Sequence, residues 1–409
     1  MKKTFFLVCL LALLGAGAAA ADFPIVYTYD TAKAQQPFEL AVPVPDGNYL
    51  VTLEIGSRKR AARTFVKAES RRLAVNDLAT GKGEVQTVSF LVNKRDRTIR
   101  ENGQAVAEVV TKPREKFKLN WDDCLNLEIA GDAPAVASIR IEPAPEGVVT
   151  VFLCGDSTVV DQDIEPWASW GQMFPWFFDT SVAVANYAES GERADSFIGA
   201  GRLRKILSVL RPGDYVFVEF GHNDQKLQGP GKGGYYYFAT QLKTFIDEIR
   251  AKGGRPVLVS PTHRRNFDAD GRVIETHADF PEAMEWVARR EGVPFLDLHR
   301  LSATFYEAMG PEASKRAFVH YKAGSFEGMP ADVEDNTHFN TYGAFELAKC
   351  VVAALQVSGL PLAGHIVNFA GFSPARPDAP ESFRWPLSPW RDTYGVQVLE
   401  KDDAATAVK

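Results

Sequence analysis

The sequence predicts two folds in tandem: an all-β sandwich over residues 22–146, then an α/β domain over residues 147–365, three-layered with a parallel sheet. Three observations predict it. Residues 22–146 carry short apolar runs between turn signals and no long helical period. From Val148 onward, continuous apolar runs alternate with segments of helical length, the pattern of a parallel sheet covered on both faces. Between the two regimes lies Pro143-Ala144-Pro145-Glu146-Gly147, a linker by composition.

The first segment, residues 1–21, reads as a secretory signal peptide. Lys2 and Lys3 precede an apolar run from Phe5 to Leu14, and Gly15 to Ala21 are small enough for cleavage. The run is too short to cross a bilayer comfortably. An exported protein, periplasmic or extracellular, with no stable membrane anchor after cleavage is therefore expected. In the β-region the expected strands are Phe38-Val44, Tyr49-Ile55, Val85-Val92, Val106-Val110, Leu125-Ile129 and Ala137-Ile141. Pro45-Asp46-Gly47-Asn48 and Glu101-Asn102-Gly103 supply turns. In the second region the strands are Val148-Cys154, Val182-Ala185, Tyr215-Phe220, Pro256-Ser260 and Val293-Leu296. The intervening helices are Ser196-Leu210, Tyr237-Ala251 and Pro281-Arg290, with Thr341-Leu355 as the last. Residues 366–409 are proline-rich, and Trp385 and Trp390 suggest packing against the body.

The 409 residues carry 46 Lys+Arg against 52 Asp+Glu, a formal charge of −6. This balance excludes a disordered chain and argues against bulk nucleic-acid binding. Without Lys2 and Lys3 the charge is −8, and residues 22–146 hold 18 basic and 18 acidic side chains. The acidity therefore sits wholly in the second region. Arg58, Lys59, Arg60, Arg63, Lys67, Arg71 and Arg72 crowd the neutral region, opposed locally only by Glu69. They read either as a solvated face or as a patch that holds a polyanion. Cys124, Cys154 and Cys350 are too few for a disulfide framework.

Sites of parallel sheets lie at the carboxyl ends of the strands. Gly155-Asp156-Ser157-Thr158 follows the first strand directly. A serine there can open a helix with its hydroxyl exposed, though a plain helix cap has the same look. Gly191 follows the second strand in Asn186 to Gly191 and can present an unobstructed backbone N–H. Asn223, in Gly221-His222-Asn223-Asp224 after the third strand, can donate to an oxyanion. Asp335 and His338 precede the last helix, where the carboxylate can orient an imidazole base. An N-cap aspartate beside a surface histidine is the plainer alternative.

Taken jointly, in this order, these blocks resemble the SGNH (GDSL-like) hydrolase superfamily. The Gly-Asp-Ser-Thr variant is typical of its rhamnogalacturonan acetylesterases, and Trp170-Gly171-Gln172, Phe220 to Gln225 and Asp335 to Phe339 are similar to that family as well. The resemblance covers roughly Val148 to Gly359; the β-region is similar to the galactose-binding-like modules of bacterial members. It implies a flavodoxin-like domain and a serine esterase acting on an acetylated polysaccharide or oligosaccharide. Ser157 would be the nucleophile, His338 the base and Asp335 its orienting acid. The backbone N–H groups of Ser157 and Gly191 and the Asn223 amide would form the oxyanion hole. Asp156 would support the serine turn. No cofactor is implied. After Gly191 the family often has Arg-Ser where this chain has Glu192-Arg193. Alternatives are an acetylesterase of another glycan such as xylan, a lipid acylhydrolase, or an inactive glycan-binding protein.

Arg193, Arg264 and Arg265 lie just past strand ends and can pair with a uronate. Trp167, Trp170, Trp176 and Tyr235 to Phe238 can stack on sugars or fill the core. The seven histidines show no paired ligand spacing and no cysteine pairs occur, so no metal is expected.

Overall fold

The computed structural model describes residues 22–389. The signal-peptide segment 1–21, Trp390 and the last residues of the proline-rich tail lie outside the described residues. In the β-region, two four-stranded antiparallel sheets face each other. One is ordered Ile25–Thr28, Val136–Pro143, Gly47–Gly56, Val85–Lys94; the other Phe38–Pro43, Cys124–Ala133, Ala62–Ala68, Arg72–Thr80. Alternation does the work here: Val51, Leu53 and Ile55 of one sheet and Leu125, Leu127 and Ile129 of the other point inward and are fully buried. A small hairpin, Thr98–Glu101 with Gln104–Glu108, projects from this body through the Asn102-Gly103 turn.

The second region is built on five parallel strands in the order Val182–Asn186, Val149–Cys154, Tyr215–Val218, Arg255–Val259, Phe295–Leu296. The sheet is apolar on both sides. Val151, Leu153, Phe217, Val257 and Val259 pack under the helix Thr341–Val357 with Phe174 and Phe177. Phe152, Cys154, Val216, Val218 and Leu258 pack under the helices Arg202–Val209, Ala239–Ala251 and Phe280–Glu291. Each fully buried aliphatic contributes about 1.5–3 kcal/mol of transfer free energy, so two such faces suffice to define the layers.

The structure departs from the sequence reading at definite places. The stretch Ser196-Leu210 is two helices, Ala194–Gly199 and Arg202–Val209, broken at Gly201, which has a positive φ of 77°. The helical stretch Leu298–Ala313, kinked at Gly310 with φ 77°, and an antiparallel pair, Phe318–Tyr321 with Val333–Phe339, lie where the apolar pattern gives no signal. The strands Ala62–Ala68 and Arg72–Thr80 were also missed, because charges interrupt their apolar pattern.

The basic cluster divides: Arg58 and Lys59 are exposed, while three of its members turn inward. Lys67, Arg71 and Arg72 are buried and reach inward. Arg72 pairs with Asp161 at 2.5 Å, Arg71 with Glu165 at 2.5 Å, and Lys67 with Glu128 at 2.9 Å. The first two cross from the β-region to the α/β region. The C-terminal strap lies over the same joint: Trp385 donates to Glu165 at 2.9 Å, and Lys67 sits 4.4 Å from the Trp385 ring centroid.

Candidate active site

Ser157 sits in a tight turn at the end of the first parallel strand, not at the start of a helix. The Asp156 carbonyl accepts from the backbone N–H of Val159 and of Val160, and its carboxylate accepts from the Thr158 backbone N–H at 3.0 Å. The turn closes so tightly that a Cβ on Gly155 would meet the Val159 side chain at 2.5 Å.

His338 and Asp335 reach the serine from the strand Val333–Phe339. His338 Nε2 lies 2.8 Å from Ser157 Oγ, and His338 Nδ1 lies 2.6 Å from Asp335 Oδ2. The other Asp335 oxygen accepts the backbone N–H groups of Thr337 at 2.7 Å and His338 at 2.9 Å. The carboxylate is thus locked by local backbone, and Nδ1 must carry the proton it donates. Nε2 is left as an acceptor for the serine hydroxyl. Asp335 is not a helix cap; Asn340 caps the last helix, accepting from Gly343 N–H at 3.0 Å.

Electrostatics follow from this contact. Burial raises the Asp335 carboxyl, but the His338 charge and hydrogen bonds outweigh it and hold it at about 2. Burial lowers His338, yet Asp335 outweighs that too, and Asp156 adds to it, so the imidazole stands above its ordinary 6.5. Beneath the serine turn lies an acidic pair. The Thr158 hydroxyl is 2.9 Å from Asp156 Oδ1 and 2.8 Å from Glu219 Oε1. A hydroxyl has one proton, so it serves both carboxyls only if one is protonated and donates to it. Burial and the neighbouring Asp156 push Glu219 up to about 8, which makes it the proton holder.

Three donors at these strand ends have capacity that no described residue takes up. No described residue accepts the backbone N–H of Ser157 or of Gly191. Gly191 has φ 76°, a left-handed conformation that glycine adopts freely. Asn223 uses one amide N–H on the Glu192 carbonyl at 3.0 Å, and its oxygen accepts from Lys226 at 2.9 Å. Its second N–H remains. The Gly191 loop is held from outside by the β-region. Glu189, in that loop, is gripped by Lys118 at 2.7 Å and Arg114 at 2.6 Å, and Arg114 also donates to the Ser190 carbonyl at 2.6 Å.

Sequence comparison places the chain in a family. Residues 153–344 match the model of the GDSL-like lipase/acylhydrolase family. Rhamnogalacturonan acetylesterase RhgT of Bacillus subtilis is 42% identical over 225 residues, covering 54% of this chain and 96% of that protein. The chain belongs to the GDSL-like lipase/acylhydrolase family. It is an ester hydrolase. The probable rhamnogalacturonan acetylesterase YesY of the same organism is 32% identical over 53% of this chain and 97% of that protein. The uncharacterized esterase YxiM, also from Bacillus subtilis, is 27% identical over 78% of this chain and 74% of that protein.

In this family member, the three arginines go to different places. Arg193 keeps a partly exposed guanidinium, paired with Asp195 at 2.8 Å. Arg264 and Arg265 are turned inward. Arg264 donates to the carbonyls of Thr276 and His222, and Arg265 to Asn336 and the Pro311 carbonyl. Both are buried, so neither presents a free fork to a uronate. Trp170 is fully buried and donates to Glu219 at 2.6 Å. Trp176 packs against the cores, while Tyr235 and Tyr236 stay exposed. The three cysteines are unbridged.

Three of the histidines, which show no paired ligand spacing in the sequence, meet in the fold. His263, His277 and His299 come together with Glu275, from three neighbouring segments of the chain. One local signal existed: Glu275 and His277 are two apart in an irregular, extended stretch, which sets both side chains on one side.

Proposed function

We propose that this protein is an exported carbohydrate acetylesterase that removes acetyl groups from rhamnogalacturonan by way of an acetyl-serine on Ser157. The Ser157–His338–Asp335 relay, at 2.8 Å and 2.6 Å, is the single observation that carries the mechanism. Names of the relatives RhgT and YesY support the substrate class. The leader-like residues 1–21 support export.

In the first step His338 Nε2 takes the Ser157 proton as Oγ attacks the acetyl carbonyl. Ser157 N–H, Gly191 N–H and Asn223 Nδ2 donate to the oxyanion that forms. The tetrahedral adduct collapses, the C–O bond to the sugar breaks, and His338 returns its proton to the sugar oxygen. Water then attacks the acetyl-serine with His338 again as base, releasing acetate and regenerating the serine. Asp335 stays ionised and holds the ring. Arg193, two residues past Gly191, is the arginine still exposed enough to meet a uronate.

Acetate release from acetylated rhamnogalacturonan and from acetylxylan, measured side by side, tests the substrate. The proposal expects kcat/KM to favour the pectic polymer by tenfold or more, as an order of magnitude. Equal or reversed rates would move the enzyme to another acetylated glycan.

A further inference from the structure

Four side chains that the ester chemistry does not use converge beyond the carboxyl ends of the last two parallel strands. His263 follows the strand Arg255–Val259, and His299 opens the helix Leu298–Ala313 after Phe295–Leu296. Glu275 and His277 come from the stretch before the helix Phe280–Glu291. One donor atom from each lies within 4.8 Å of the others. Glu275 Oε2 is 2.6 Å from His299 Nε2 and 3.9 Å from His263 Nε2, and Glu275 Oε1 is 3.6 Å from His277 Nδ1. Donors bound tetrahedrally at 2.0–2.1 Å stand about 3.3 Å apart, inside that spread.

Two of the three outer nitrogens are already held. His299 Nδ1 lies 2.8 Å from the Pro261 carbonyl, and His277 Nε2 lies 2.9 Å from His222 Nδ1. His222 Nε2 is in turn 3.2 Å from the Thr262 hydroxyl. Partners of this kind aim the inner lone pair at a metal ion. His299 is the most telling member. One nitrogen faces a carbonyl and the other a carboxylate, and both are acceptors. A neutral imidazole has a single N–H and cannot satisfy both. Either a second proton or a cation must lie on the Glu275 side. His263 stacks on that same ring with centroids 3.5 Å apart, and its buried Nδ1 has no partner. His299 therefore calls for a positive charge on the Glu275 side, where His263 Nε2 also faces.

We propose that His263, Glu275, His277 and His299 bind one divalent cation of the zinc class. Three imidazoles and one carboxylate suit late first-row metals rather than magnesium or calcium. None of the four hydrogen-bonds Ser157, Asp335 or His338 among the described residues. The role is structural: the ion ties residues 263–277 to the helix Leu298–Ala313. Through His277 and His222 it steadies the turn that carries Asn223.

The test uses the full chain, stripped by chelator and titrated with ZnCl2 by calorimetry, with CoCl2 absorption as a second probe. The expected result is one saturable equivalent of zinc, no comparable uptake of magnesium, and a Tm that rises on reloading. Glu275→Gln and His299→Ala should each weaken binding by at least about tenfold. Glu275 is exposed, so the first of these variants keeps the fold even if the second does not. Absence of saturable zinc uptake by the folded wild type overturns the proposal. So does an affinity that Glu275→Gln leaves unchanged. Either result makes the cluster an imidazolium–carboxylate group only.

Discussion

Lys118 of the β-region and Glu189 of the Gly191 loop form an ion pair of 2.7 Å with both side chains buried. Burial would raise the Glu189 carboxyl, but Lys118, Arg114 and Arg202 outweigh it and hold it well below the ordinary carboxylate range. The β-region thus acts on the site mechanically, by fixing the loop that presents a backbone N–H. Stranding a buried charge outright costs about 3 kcal/mol or more; with Lys118 removed Glu189 keeps Arg114 at 2.6 Å, so the loss is smaller than that. Lys118→Met should therefore lower Tm and reduce kcat on a small acetyl ester while leaving KM nearly unchanged. Thermal unfolding and steady-state kinetics check both; an unchanged kcat would mean the clamp serves stability alone.

The Asn223 amide is expected to donate only when an oxyanion develops. Asn223→Ala should lower kcat on the order of 10²–10³-fold with little change in KM. A rise in KM at constant kcat would instead assign Asn223 to ground-state binding.

His338 must be neutral to accept the serine proton. Its folded value lies above 6.5, because the Asp335 charge outweighs burial. The acid limb of kcat/KM should accordingly have its midpoint above pH 6.5. Asp335→Asn removes the raising partner and frees the tautomer, so activity should fall on the order of 10³–10⁴-fold. A pH–rate profile of both proteins measures this, and a midpoint below 6.5 in the wild type would contradict the electrostatics.

Glu219 and Asp224 should each contribute stability that declines from pH 5 to pH 8. Burial pushes Glu219 from 4.5 up to about 8 and Asp224 from 3.8 up to about 7. In that window the folded chain holds protons that the unfolded chain has released, so this contribution is greatest below the unfolded values and is lost as pH rises. Glu219→Gln removes one of these protons from the balance. Its Tm should fall less between pH 5 and pH 8 than that of the wild type, by differential scanning calorimetry. Parallel slopes would contradict a protonated Glu219.

Much of the architecture is legible in the sequence because apolar runs report burial directly. Val149–Cys154 and Tyr215–Val218 are buried on both faces, and a continuous run has no other economical explanation. Ala62–Ala68 and Arg72–Thr80 defeat the same logic. Lys67 and Arg72 look like surface residues until their partners Glu128 and Asp161 are known, and those partners lie 61 and 89 positions away. Ser157 and His338 are joined across 181 positions. Local chemistry flags each alone, while only the ordered set of blocks implies that they meet. Arg264 and Arg265 mislead for the opposite reason: a strand-end arginine can face inward as easily as outward, and here backbone carbonyls claim both. The histidine cluster draws from three segments, and only the Glu275–His277 pair left a trace in the spacing.

The central claim is that Ser157 carries the acetyl group during turnover. Mixing the enzyme with p-nitrophenyl acetate, quenching in acid and mapping peptides by mass spectrometry tests this directly. The account predicts one acetyl group on the peptide containing Ser157, absent from folded Ser157→Ala, whose acetate release should fall by at least about 10³-fold. An acetyl group on another residue, or acetate release that survives in Ser157→Ala, would contradict it.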